Sequence, residues 1–202
     1  MRFYFFCLLV VIIIFTVHWS LRSWVTPAIA MFEHRSGYEL GGDLYFKFFP
    51  ARIKNEFVSQ GYGVTPFAAN LKYPYDWHNG IDVAVDFDTP VLSVTPGQVL
   101  LIGNQDSYCY HRGYGKFVLI KNSEDDKILL YAHLGYINVE SGQKIKNGSN
   151  LGTVGATGFE TGPHLHLSVF APKNFEINDK RGCGPSPMGQ DINPFEYLRA
   201  LK

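Results

Sequence analysis

The chain has 202 residues, 46% hydrophobic and 15% aromatic, with 20 Gly, 11 Pro and a formal net charge of zero. That length suits one domain with an appendage, and the apolar fraction is enough for a core. The 18 Lys and Arg are matched by 18 Asp and Glu, and without a basic stripe there is no electrostatic case for a nucleic-acid partner.

The amino terminus opens Met1-Arg2, then runs apolar from Phe3 to Val17, broken only by Thr16. About 15 apolar residues is short for a membrane span, but adding Trp19, Leu21, Trp24 and Val25 approaches the roughly 20 that a span needs. Trp19 and Trp24 suit a membrane interface. This allows two readings. One is an apolar helix over residues 1–25 that anchors the chain in the cytoplasmic membrane. The other is a signal peptide cleaved near Ala28-Ile29-Ala30. In both, the rest of the chain faces outward into the cell envelope.

Residues 26–70 form a mixed upstream stretch, a stem or a segment that packs on the domain behind it, with room for a short helix after Pro50. From Pro74 the pattern changes. Apolar, β-branched runs at Ile81–Val85, Val91–Val94, Gln98–Ile102, Lys116–Ile120, Ile128–His133 and Leu165–Phe170 are separated by turn residues such as Asp88-Thr89-Pro90 and Lys146-Asn147-Gly148. Short strands at that spacing predict an all-β domain over residues 71–202, an antiparallel sandwich- or barrel-like sheet. Asn193-Pro194 then precedes a short terminal helix, Phe195–Leu201. Cys7, Cys109 and Cys183 do not fit a metal-site spacing. Cys109 and Cys183 are either unrelated thiols or, in an exported chain, a disulfide.

The seven histidines carry the chemistry. His18 and His34 lie upstream, and His111 sits in a Tyr/Gly loop that reads as surface. In His78-Asn79-Gly80-Ile81-Asp82, Asn-Gly argues against a helix, so a turn feeds a strand with Asp82 on its polar face. In His164-Leu165-His166-Leu167, strand alternation puts both imidazoles on one face and the leucines on the other. His133 stands alone in an apolar run. A catalytic zinc takes three protein ligands from histidine and carboxylate and keeps the fourth position for water. Two histidines and one aspartate supply that set, and two further histidines remain for proton transfer.

These residues resemble the lysostaphin-type, or LytM-like, zinc metallopeptidases, whose hallmarks are His-x-x-x-Asp, a lone downstream His and His-x-His. Here they are His78-x-x-x-Asp82, His133 and His164-x-His166. The segments HNGIDVAVDFDTPVLSVTPGQV, YGKFVLIKN and YAHLGYINVESGQKIKNGSNLGTVGATGFETGPHLHLSV are similar to the family's text, and the likeness covers about residues 74–172. The resemblance implies the LytM-type (duplicated hybrid motif) β-domain. It implies one zinc ion held by His78, Asp82 and His166, with His133 and His164 as the catalytic pair. It also implies hydrolysis of peptidoglycan stem or bridge peptides. Three features depart from the family pattern: Ser168 stands where an acidic residue is common, the loop from Gln105 to Gly115 is long, and the tail carrying Cys183 is unfamiliar.

The resemblance thus makes the chain a zinc endopeptidase of cell-wall remodelling, held at the membrane by its amino-terminal segment or exported. The alternatives are a LytM-like scaffold that activates another wall hydrolase, a metal-binding module without turnover, and cleavage of the chain itself or of a protein partner.

Overall fold

The structure is a computed structural model that describes residues 57–71, 73–179 and 182–201. The apolar run at 1–25, most of the segment expected to hold a helix after Pro50, and His18 and His34 lie outside the described residues. Among the described residues no helix is long and apolar enough to cross a membrane.

Fifteen short strands are described: β1 (Val58–Gln60), β2 (Gly63–Val64), β3 (Trp77–His78), β4 (Ile81–Ala84), β5 (Pro90–Leu92), β6 (Gly97–Asn104), β7 (Lys116–Asn122), β8 (Ile128–Ala132), β9 (Leu134–Ile137), β10 (Lys144–Ile145), β11 (Asn150–Val154), β12 (His164–Phe170), β13 (Glu176–Asn178), β14 (Ser186–Met188) and β15 (Asp191–Ile192). Helix α1 spans Pro66–Asn70 and α2 spans Pro194–Ala200. The main sheet runs β1-β4-β12-β8-β7-β6-β10, with β15 also paired to β12, and a smaller sheet runs β5-β11-β9. Both sheets are antiparallel throughout, the all-β architecture expected.

Strand alternation sorts the main sheet into two faces. One face contributes Ile81, Val83, Leu129, Tyr131, Leu165, Leu167 and Val169 to a core that also takes Val91, Leu134, Leu151 and Val154 from the smaller sheet. Each fully buried aliphatic side chain there contributes about 1.5–3 kcal/mol. The core is closed by α2, whose Phe195 and Tyr197 are buried in it. Asn193 caps that helix by accepting the Phe195 N–H at 3.0 Å, and Pro194 at the first helical position needs no hydrogen-bond acceptor. The opposite face carries a second cluster of Phe117, Leu119, Ile128, Leu130, Ala132 and Phe170.

The expected strands are present with shifted ends. The run expected as Ile128–His133 stops at Ala132 because His133 turns out of the strand with φ 60°. The terminal helix begins at Pro194, one residue before the expected start. Residues 58–60, placed by sequence in the upstream stretch of 26–70 and, up to Ser59, in the segment expected to hold a short helix, are instead a strand paired with β4 at the edge of the main sheet. Cys109 and Cys183 form a disulfide that ties the loop after β6 to the carboxy-terminal tail.

Candidate metal centre

The site is assembled on β4 and β12. Their register places Asp82 directly opposite His166, and His164 opposite Ala84, so His164, His166 and Asp82 share one face of the sheet. The chain reaches this face a third time through His78, at the end of β3 and paired with Gly63 on β2. The Asn79-Gly80 link lets β3 pass into β4. Gly80 is required there, because a Cβ on it would lie 2.6 Å from the His166 ring. His133 follows β8, whose Ala132 lies opposite His166 on the other side of β12.

The structure brings together all five residues singled out by sequence. One donor atom from each of His78, Asp82 and His166 lies within 4.8 Å of the others, and all three residues are buried. His166 Nδ1 is 2.8 Å from Asp82 Oδ1, His78 Nε2 is 3.3 Å from the same oxygen, and the two imidazole nitrogens are 3.1 Å apart. His164 Nε2 lies 3.7 Å from Asp82 Oδ1. The His133 ring centroid is 4.6 Å from that of His164 and 5.8 Å from that of His166. His111, read as a surface residue, is exposed on its loop.

Backbone carbonyls set the tautomers. His78 Nδ1 lies 2.7 Å from Gly61 O, His133 Nδ1 lies 2.6 Å from Thr157 O and His164 Nδ1 lies 2.8 Å from Gly162 O. A carbonyl can only accept, so each Nδ1 carries the proton and each neutral ring keeps its lone pair on Nε2. His166 is turned the other way, with Nε2 2.7 Å from Ser168 Oγ and Nδ1 toward Asp82. Ser168, a departure from the family pattern, therefore supplies the outer contact to this ring.

The electrostatics follow from burial and the one carboxylate. Burial alone would raise the Asp82 carboxyl. His78 and the hydrogen bond from His166 outweigh it and hold the carboxyl well below the usual range. Burial opposes charge on His78, but Asp82 outweighs it and the imidazole is raised. On His166 burial prevails over Asp82 and the imidazole is lowered. His133 is lowered to about 3, by burial first and then by its His164 and His166 neighbours, so it is neutral at any ordinary pH.

The donor set fits a transition metal. Neutral His78 presents a lone pair at Nε2, His166 presents one at Nδ1 when its Nε2–H is given to Ser168, and the Asp82 carboxylate is an acceptor. Three acceptors at 2.8–3.3 Å repel one another unless a cation or a proton sits among them. Two imidazoles and a carboxylate, with outer hydrogen bonds fixing each ring, are the composition of a catalytic zinc site.

The protein is thus a two-sheet antiparallel β-domain with a buried His-Asp-His cluster of the kind that could hold a metal ion, and comparison with known proteins gives its family. The model of Peptidase family M23 matches residues 76–179, and the chain belongs to that family. It is 38% identical over 96 residues to the cell division protein DipM of Caulobacter vibrioides, covering 47% of this chain and 15% of that protein. It is 38% identical over 92 residues to the peptidoglycan DD-endopeptidase ShyA of Vibrio cholerae, covering 46% of this chain and 20% of that protein. This chain therefore matches only a small part of the length of these relatives. In fold it is similar to the catalytic domain of lysostaphin from Staphylococcus simulans, with a TM-score of 0.55 and 24% identity over 70% of this chain and 91% of that one.

Proposed function

We propose that the protein is a zinc-dependent endopeptidase that cleaves peptide cross-links of peptidoglycan at the cell envelope, with one zinc held by His78, Asp82 and His166. The observation that carries this reading is the convergence of those three donor atoms within 4.8 Å of one another, beside two further imidazoles whose Nδ1 atoms are already committed to backbone carbonyls. Zinc bound by such a set supplies Lewis acidity, activating water and polarising a peptide carbonyl. His133 and His164 do the proton work. Each presents Nε2 to the site: one ring, unprotonated there, would accept a proton from the attacking water, and the other, once it carries a proton on Nε2, would donate to the oxygen on which negative charge develops. Relatives such as the DD-endopeptidase ShyA support this substrate class. The apolar amino-terminal run would hold the domain outside the cytoplasmic membrane, or direct its export.

The test is to digest purified sacculi with the protein, with and without a chelator, and to identify the released fragments by mass spectrometry. Metal-dependent release of cross-link fragments is expected, and the fragments name the bond cut. A protein that binds zinc yet releases nothing would be the metal-binding module without turnover instead.

A further inference from the structure

Asp106 takes no part in the chemistry above, yet it is tied to the site by a short path. The peptide unit joining Thr157 to Gly158 is held at both ends. Its carbonyl oxygen accepts from His133 Nδ1 at 2.6 Å, and its N–H donates to Asp106 Oδ2 at 3.0 Å. The second carboxylate oxygen, Oδ1, accepts the backbone N–H of His111 at 3.0 Å. A carboxylate, one peptide group and an imidazole thus form a continuous hydrogen-bonded row.

From this geometry we propose that Asp106 is a positioning residue for His133, acting through the Thr157–Gly158 peptide; its catalytic consequence rests on the endopeptidase reading above. A negative oxygen on the N–H polarises the peptide and makes its carbonyl a stronger acceptor. That strengthens the bond to His133 Nδ1–H, which fixes the ring plane and keeps the lone pair at Nε2. Carboxylates that orient an imidazole commonly touch it directly; here one peptide stands between. His133 has need of such support, since its own backbone is in the left-handed region, at φ 60°.

The surroundings hold Asp106 in place. Buried Gln105 accepts the Tyr114 N–H at 2.6 Å and donates to Pro185 O at 3.0 Å, while the Cys109–Cys183 disulfide ties the same loop to the tail. Gly158 has φ 79°, and a Cβ there would collide with the backbone of Gly115, so the turn can approach the loop only as glycine. The unusually long loop and the unfamiliar tail are accounted for together as the mount of this row.

The experiment compares wild type with Asp106→Asn, in otherwise wild-type protein and in a His133→Ala background, all zinc-loaded. Asp106→Asn is expected to lower kcat on the order of 10-fold, with KM, zinc content and melting temperature near wild type. In the His133→Ala background the same change should cost nothing further, because two residues acting as one unit are not additive. Should the asparagine variant lose zinc or cooperative melting, Asp106→Glu replaces it, with a smaller loss confined to kcat. An effect on KM alone, or full additivity with His133→Ala, overturns the proposal. A second readout needs no activity: the His133 Nδ1–H proton resonance of the zinc-loaded protein should shift upfield in Asp106→Asn, and an unmoved resonance overturns the proposal. If wild type releases no wall fragments, the endopeptidase reading fails, and the resonance alone decides whether the row exists.

Discussion

Strand β12 presents the same backbone to two very different surroundings. Leu165, Leu167 and Val169 point into the apolar core, all fully buried. On the other face His166 is 4% exposed and Ser168 is fully buried, with Asp82 of β4 at 8% beside them. Alternation in a sheet usually separates a buried face from a wet one; here it separates two buried faces with opposite energetics. The apolar face is stabilised simply by leaving water. The polar face costs free energy unless every donor and acceptor finds a partner. Partners are found: Gly61, Thr157 and Gly162 carbonyls, the Ser168 hydroxyl and the Asp82 carboxylate. With the His166 proton on Nε2 toward Ser168, what is left over is a set of inward-facing lone pairs. The first face makes the domain fold, and the second gathers the donor set proposed above to hold a cation.

The contrast can be broken most sharply from the polar side. His166→Ala removes one donor from the set of three, so zinc content and release of wall fragments should both fall to the level of chelated wild type, while the apolar face keeps the domain folded. Circular dichroism with metal analysis on one sample would check this. A variant that cuts as well as wild type would mean that the site is elsewhere.

His133→Ala leaves the three donors intact and removes a proton-transfer partner. Zinc should stay bound while cleavage falls by about 10²–10⁴-fold, the range for general acid–base groups. Steady-state rates on a soluble cross-link peptide, with metal content measured in parallel, separate the two roles.

On the apolar face, Leu167→Ala should do the reverse. A fully buried leucine cut to alanine costs about 2–5 kcal/mol of folding stability, seen as a lower denaturant midpoint. The protein that remains folded should still bind zinc and cut at an unchanged rate per folded molecule.

The two faces also differ in how far they can be read from sequence. Alternation in HLHLSVF is enough to place His164 and His166 together and the leucines opposite, and the β-branched runs locate most of the main sheet. The smaller sheet is harder. β9 and β11 carry Gly135 and Gly152 and lack a clean alternation, so Leu134–Ile137 and Asn150–Val154 do not stand out as strands. Edge strands of two or three residues, such as β1 and β15, have too little pattern to show. The acceptors that orient the imidazoles are main-chain carbonyls, which any residue provides, so nothing in the sequence marks Gly61, Thr157 or Gly162. Asp106 is equally silent. Its partners are backbone N–H groups of His111 and Gly158, brought near only by the close approach of two glycine-containing turns. Pairing of Cys109 with Cys183 likewise depends on tertiary proximity that spacing alone does not give.

Ser168 offers the subtlest test, because it belongs to the polar face yet touches no proposed metal position. Its Oγ lies 2.7 Å from His166 Nε2, and with zinc at Nδ1 that nitrogen carries the proton and donates. Ser168→Ala would leave this N–H buried without a partner and free the ring to rotate or change tautomer. Outer partners of this kind are typically worth about 10–100-fold in metal affinity or activity. Competition with a chelator of known strength should therefore show zinc held about 10–100-fold more weakly, with turnover of the fully loaded enzyme much less affected. Folding stability should fall by about 1–3 kcal/mol, because the buried Nε2–H loses its acceptor. If zinc affinity is unchanged, the ring orientation is set by Asp82 and the metal alone, and the hydroxyl is no more than a polar filler on a buried face.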